Sequence, residues 1–217
     1  MLNLERNHLT QKLKAGLVAL DLSCTELQVQ KMMDYLYLLI KWNKTYNLTA
    51  IRDPEQMIVH HFLDSLSMAF AVGQAHTILD VGTGGGFPGM VLAILYPDKE
   101  VTLVDTIQKK TAFLTQVKLE LGLKNVIIHT SKVEALDPAI QYEVIVSRAF
   151  SELVNFVTWS CHLLKKGGVF LAMKGVYSEE ELLKLPMGWK IKEIYPLIVP
   201  DLNAERHLVL IESQRNY

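Results

Sequence analysis

Four of the five residues at 82–86 are glycine, standing between a β-branched run at 77–81 and a helical stretch at 88–96. Glycine lets the backbone take conformations that a Cβ forbids, and it lets a ligand come close to the main chain. A strand that turns this sharply into a helix opens a βαβ unit. The pattern then repeats. Short apolar runs at 101–105, 126–129 and 144–147 are each followed by a loop and a helical stretch or turn, at 108–121, around Val133 and at 152–164. Such alternation predicts a mostly parallel sheet covered by helices on both faces, an α/β fold. Gly167-Gly168 leads into a fifth strand at 169–173. A short helix at 179–185 and extended runs at 189–196 and 207–212 then predict a hairpin-like edge on the same sheet.

The first 75 residues read instead as helices. In 26–46, Val29, Met32, Met33, Leu36, Leu39, Ile40 and Asn43 step by three and four, one face of an amphipathic helix, with Thr25 as N-cap. A shorter helix is expected at 9–20, and another at 55–71 behind the Asp53-Pro54 start signal. The reading is a single domain over 1–217, with a helical N-terminal extension at 1–75 packed on an α/β core at 76–217.

Charge narrows the partners. The 22 Lys and Arg against 23 Asp and Glu leave a net charge of −1, so no broad basic field announces nucleic acid. Over 1–52, seven basic residues meet four acidic ones, a slight excess that an ordinary solvated face explains. The two cysteines, Cys24 and Cys161, have no metal spacing and are too few for a disulfide scaffold. Glu5, Arg6, His8, Lys12 and Lys14 interrupt any apolar stretch near the start, and no apolar run approaches the roughly 18 residues of a membrane helix. A cytoplasmic chain without a signal peptide or membrane contact is expected.

The loop Asp80-Val-Gly-Thr-Gly-Gly-Gly-Phe-Pro-Gly89 admits two registers. Gly84, Gly86 and Gly89 fit the dinucleotide fingerprint G-x-G-x-x-G. Gly82, Gly84 and Gly86 give Asp-x-Gly-x-Gly-x-Gly, which resembles the first motif of class I methyltransferases that bind S-adenosylmethionine. The second register is the better one. It puts Asp80 at the end of the strand and the first glycine at the turn, whereas the first puts Phe87 and Pro88 where the helix must hug a pyrophosphate. The next strand ends in Asp105, whose carboxylate suits a ribose diol in either cofactor class.

The available chemistry is narrowed by residue type. Attack from a pyrimidine C5 needs a cysteine thiolate. Cys24 lies among the first helices, and Cys161 is expected mid-helix as a buried thiol. Methylation of exocyclic amines in such folds uses an Asn/Asp-Pro-Pro-aromatic motif, but Ser147-Arg-Ala-Phe150 stands in its place. A ring nitrogen or a hydroxyl remains. Arg148 sits at the functional edge of the fourth strand, where it suits a carboxylate, phosphate or base edge, or a surface salt bridge equally well. His60-His61 lacks the spacing of a metal pair, and Lys109, Lys110, Lys118 and Lys124 suit either phosphate or solvent.

Several segments occur together in order: Trp42-Asn-Lys-Thr-Tyr-Asn-Leu-Thr-Ala50, His61-Phe-Leu-Asp-Ser-Leu66, the glycine loop, Ser147-Arg-Ala149 and Met173-Lys-Gly175. Over nearly the whole chain they resemble the bacterial RsmG family, also called glucose-inhibited division protein B. The resemblance implies a class I methyltransferase (Rossmann-like) fold. It implies transfer of a methyl group from S-adenosylmethionine to N7 of the guanine at position 527 of 16S rRNA, within the small ribosomal subunit or an assembly intermediate. A monomer is expected. Family cofactor contacts would fall on Gly82, Phe87, Val133, Glu134 and Arg148, joining Gly84 and Asp105 from the loop reading, with Arg148 also the expected catalytic residue. Val133-Glu134 departs from the small-acidic pair of the family, a change that a backbone contact to adenine survives. Residues 42–49 and Asp64-Ser65 would face the pocket. The alternatives are a methyltransferase of a small molecule or protein side chain, a nicotinamide-dependent oxidoreductase, or an RNA chaperone that binds cofactor without turnover.

Overall fold

The computed structural model of the protein describes residues 2–148, 150 and 152–214. Two helices open the chain, α1 (Leu2–Ala19) and α2 (Glu26–Tyr46). The first begins well before the expected 9–20, because residues 2–8 hold neither Gly nor Pro to stop it. Its buried members Leu9, Leu13 and Leu17 recur every four residues on one face. Thr25 and Gln28 close a capping box at the start of α2, and Asn47 ends that helix in the left-handed conformation at φ 49°.

The single helix expected at 55–71 is in fact four pieces. They are α3 (Pro54–Met57), a π-helix (Ile58–Leu63), α4 (Asp64–Leu66) and a 3₁₀ turn (Ala69–Val72). A π turn widens the helix by one residue per turn, so no 3.6-residue periodicity reveals it. Its consequence is visible in burial, since all six residues from His61 to Leu66 are buried, polar ones included.

Seven strands follow: β1 (Thr77–Val81), β2 (Glu100–Asp105), β3 (Val126–Thr130), β4 (Tyr142–Ser147), β5 (Leu164–Lys174), β6 (Trp189–Pro196) and β7 (His207–Ser213). Between them run α5 (Gly89–Leu95), α6 (Gln108–Leu121), α7 (Leu153–Ser160) and α8 (Glu179–Leu183). The sheet order is β3-β2-β1-β4-β5-β7-β6. The first five strands are parallel, while β7 pairs antiparallel with both β5 and β6, the expected hairpin edge. The order reverses between β1 and β4, so a crevice opens at their carboxyl ends, the usual ligand site of open α/β sheets.

One apolar cluster joins the buried faces of α1, α2, α5 and α6 to one side of the sheet, and a second joins α7 to the other side. The N-terminal helices therefore share a core with the helix that follows the glycine loop. Cys161 is not mid-helix: it lies at the C-cap of α7 and is half-buried, because the expected helix at 152–164 gives way to a 3₁₀ turn there. Among the described residues no helix is long and apolar enough to cross a membrane.

Candidate active site

The glycine loop is held at both ends by carboxylates. Gly82, Gly84 and Gly86 all have positive φ (69°, 61° and 99°), so the turn is one that other residues rarely adopt. The amides of Gly82 and Thr83 donate to the carbonyl of Val104 at the end of β2. The Gly84 amide donates to Asp105 Oδ2 and the Ile107 amide to Asp105 Oδ1, each at 2.9 Å. Lys110 Nζ lies 3.5 Å from the same carboxylate. Asp105 thus stitches the loop to β2 while keeping acceptor capacity toward the crevice.

Asp80 holds the other end. Its Oδ2 accepts from the Thr83 hydroxyl at 2.6 Å and from the Gly89 amide at 2.7 Å, whereas its buried Oδ1 has no hydrogen-bond partner. Burial lifts its carboxyl to about 6, against the opposing pull of those two hydrogen bonds. The helix after the loop therefore has no free first amide to offer a ligand. α5 begins at Gly89, with Pro88 at the cap position, and its first amide is already taken by Asp80. A dinucleotide pyrophosphate would compete with that carboxylate for the same amide, which speaks against the dinucleotide register.

Two cavities meet at the loop. The larger, about 420 Å³, is walled by Val133, Phe150 and Trp159 and bordered by Gly82, Asp105, Ser131 and Glu134. The buried Ser131 Oγ in it has no partner. An apolar slot with a carboxylate and an unsatisfied hydroxyl along its rim fits the base and ribose of a nucleoside. The smaller, about 260 Å³, is lined by Thr49, His61, Gly84, Phe87, Lys110 and Arg148 among others. Gly82 and Lys110 border both. The expected site residues are therefore divided, with Asp105, Val133 and Glu134 on the larger cavity and Gly84, Phe87 and Arg148 on the smaller.

The smaller cavity is built by the N-terminal helices as much as by the sheet. Arg148 donates to the His60 carbonyl at 2.9 Å and to Asp64 Oδ2 at 2.8 Å. Its guanidinium carbon stands 5.4 Å from the centroid of the Phe87 ring. Asp64 is buried, and its other oxygen accepts from Arg206 Nε at 2.9 Å. Arg148 does form a salt bridge, but with a buried carboxylate behind the cavity rather than with a surface partner. Ala149 of the same motif lies outside the described residues.

His61 stacks on Phe87 with centroids 4.8 Å apart. Its Nδ1 faces Arg148 Nη2 at 3.4 Å, and a guanidinium only donates, so Nδ1 is the acceptor. The proton sits on Nε2, which donates to Thr49 Oγ1 at 2.8 Å. Burial and then the charge of Arg148 lower the imidazole pKa to about 3, so His61 is neutral and offers no acid at physiological pH. In an unfolded chain this histidine takes up its proton near 6.5. Between about 6.5 and 3 the unfolded state therefore binds more protons, and stability falls as pH falls. The stability difference between wild type and His61→Gln is expected to shrink by about 1.4 kcal/mol per pH unit on going from pH 6 to 4. Denaturant titrations of both proteins measure it, and referencing to the variant cancels the opposite contribution of Asp80. Parallel stability profiles would contradict a neutral buried imidazole.

Tyr35 escaped the sequence reading. Fully buried on α2, it donates to the Gly85 carbonyl and stacks on Phe87 at 5.3 Å. Arg206 and Trp159 were also missed. Nothing in their spacing distinguishes them from ordinary packing or edge residues. Tyr35 alone carried a signal, a phenol among the aliphatic positions of a buried helical face.

Comparison with known proteins agrees with this geometry. Residues 28–209 match the GidB family, described as rRNA small subunit methyltransferase G. Ribosomal RNA small subunit methyltransferase G of Herminiimonas arsenicoxydans is 53% identical over 212 residues, covering 96% of this chain and 97% of that protein. The protein of the same name from Chromobacterium violaceum is 52% identical over 205 residues, covering 94% and 98%. Among solved structures, TrmN from Thermus thermophilus superposes with a TM-score of 0.55 at 16% identity, covering 69% of this chain and 48% of that one. A ribosomal protein L11 methylase from Lactobacillus delbrueckii gives 0.55 at 18%, covering 70% and 77%. Those two likenesses show the fold, a class I methyltransferase sheet. The near full-length identity goes further: this chain belongs to the rRNA small subunit methyltransferase G (GidB) family.

Proposed function

We propose that the protein transfers a methyl group from S-adenosylmethionine to N7 of the guanine at position 527 of 16S rRNA. It does so as a monomer in the cytoplasm, on the small ribosomal subunit or an assembly intermediate. The observation that carries this reading is the meeting, at Gly82, of a nucleoside-shaped cavity with a second one lined by Arg148 and an uncharged His61. When bound, the cofactor supplies a sulfonium methyl that is already activated for transfer. The chain's task is to bind, orient and exclude water. Asp105 takes the ribose diol, and Phe150, Trp159 and Val133 enclose the adenine. Phe87 and Arg148 form the wall against which a guanine is held, and Arg148 keeps N–H donors free for a base acceptor. A guanine N7 carries a lone pair and no proton, so a smaller cavity lined by a neutral His61 needs no general base. The helices of 1–75 and the core of 76–217 act as one unit, since both line that cavity.

Two measurements test this. Radiolabelled methyl transfer to 16S rRNA, free and in small subunits, should label one guanine. Borohydride and aniline should then cleave rRNA there from cells with the gene, and not from a deletion strain. Unchanged cleavage would overturn the reading, and a methyl mapped to a ribose 2′-oxygen or to a protein would replace it. For the cofactor, Asp105→Asn should weaken S-adenosylhomocysteine binding by about 1–3 kcal/mol, the effect of removing a charged acceptor. The amide oxygen can still accept from Gly84, so the loop keeps its tie to β2, while the Ile107 amide loses its acceptor. Calorimetry showing wild-type affinity would remove Asp105 from the ribose site.

A further inference from the structure

The chain is nearly neutral overall, yet two of its segments are purely basic. Segments 41–52 and 106–119 contain no Asp or Glu, and each carries three Lys or Arg. The fold packs them together, with Trp42 of α2 against Phe113 of α6 at 5.5 Å. They flank the mouth of the smaller cavity, to which they contribute Leu48, Thr49 and Lys110. On other faces Lys12, Lys14, Lys165, Lys190 and Lys192 each meet a carboxylate. Among the described residues Lys44, Arg52 and Lys109 do not. The carboxylates nearest in sequence are engaged elsewhere: Asp53 caps α3, and Asp105 holds the glycine loop.

Two of these cations are fixed in place by the end of α2. Arg52 donates to the Asn43 carbonyl at 2.8 Å and to the Asn47 side chain. Lys109 donates to the Tyr46 carbonyl at 2.8 Å. A guanidinium has five N–H donors and an ammonium three, so both retain donors for an anion. Side chains already immobilised lose less entropy on binding. Between them Tyr46 is 43% exposed, its ring backed by Trp42 at 5.0 Å. A supported, half-open aromatic beside fixed cations is the pairing that single-stranded nucleic acid uses, phosphate on charge and base on ring. A phosphate-binding protein pocket would need the charges to converge, and here they are strung along the end of a helix.

We propose that the C-terminal end of α2, with Arg52 and the start of α6, is the track along which a single-stranded RNA segment enters. Lys44, Arg52 and Lys109 hold its phosphates, and Tyr46 stacks a base beside the one delivered to the smaller cavity. This rests on the rRNA reading above, and adds to it which surface the RNA occupies.

The test compares wild type with Lys44→Gln/Arg52→Gln/Lys109→Gln, with Tyr46→Leu, and with a control, Lys165→Gln/Lys166→Gln, at the amino end of β5. Methyl transfer to small ribosomal subunits is measured over a range of KCl, alongside melting temperature and S-adenosylhomocysteine affinity. The triple variant should raise KM for subunits at least tenfold and flatten the slope of log KM against log salt by about 2, roughly 0.7 for each lost phosphate contact. Its kcat and cofactor affinity should stay within about twofold of wild type. Tyr46→Leu should raise KM several-fold without changing the salt slope, and the control should change neither. Glutamine keeps a donor for the Asn43 and Tyr46 carbonyls; should the triple still melt early, Lys44→Gln alone carries the comparison. An unchanged KM and salt slope in the triple variant, or an equal change in the control, overturns the proposal. Were wild type to label no small-subunit rRNA, the functional reading would fail instead. Filter binding of an RNA oligonucleotide by the same variants would then judge the surface by itself.

Discussion

Replacing Arg148 with alanine is expected to lower methyl transfer by at least about a hundredfold while the protein stays folded. A hundredfold corresponds to about 2.7 kcal/mol of lost transition-state stabilisation, within reach of one charged, oriented donor. The guanidinium is held from behind by Asp64 and the His60 carbonyl, and in front it faces the smaller cavity across Phe87. Its removal does not leave Asp64 without a cation, because Arg206 remains at 2.9 Å. The loss of stability is therefore expected to be about 1–2 kcal/mol, well short of the roughly 3–5 kcal/mol for stranding a buried charge. Arg148→Lys keeps the charge but not the planar fork, and should recover only part of the rate. Turnover near wild type in folded Arg148→Ala would reduce this residue to a strut between helix and sheet.

The second large effect is expected at Gly86, and the contrast with Gly84 makes it specific. Gly86 has φ 99°, and a Cβ there would overlap the Tyr35 hydroxyl and come within 2.7 Å of Leu114. Gly86→Val should therefore cost more than about 3 kcal/mol through strain and overpacking together, and abolish cofactor binding. At Gly84 a Cβ would meet nothing closer than 3.9 Å, because that residue faces the cavity. Gly84→Val should lose about 1–2 kcal/mol to its positive φ alone, yet still abolish binding. Thermal melts and calorimetry on the pair separate the two roles. A Gly86→Val protein that melts with wild type would refute the packing of Tyr35 on the loop. A Gly84→Val protein that still binds S-adenosylhomocysteine would refute the loop as cofactor cradle.

The Arg148 and Gly86 sites also show how unevenly the active site is written along the chain. The glycine loop, the parallel strands and Asp105 are legible in sequence because they are local. A strand is a run of β-branched residues, and a glycine turn is four small residues in five. The face of α2 is legible for the same reason, a period of three and four closed by Thr25 and Gln28. Residues 55–71 read as one helix in sequence, since a π turn changes register without leaving a mark on composition. That turn matters, because it buries His61 and Asp64 in succession.

What the sequence by itself determined is the α/β core, the glycine loop and the kind of residue at the end of each strand. What only the tertiary structure decided is how those residues are charged and held. Asp64 meets Arg148 across 84 positions and Arg206 across 142, and no periodicity spans such distances. The same carboxylate on an exposed helix would be an ordinary surface acid. His61 is neutral because the fold removes it from water and places a guanidinium beside it. Position 61 alone implies an ordinary histidine that titrates near 6.5. Periodicity is a property of neighbours along the chain, whereas desolvation and Coulomb energy depend on neighbours in space. Those exist only once α2, the π-helix and the sheet have packed together.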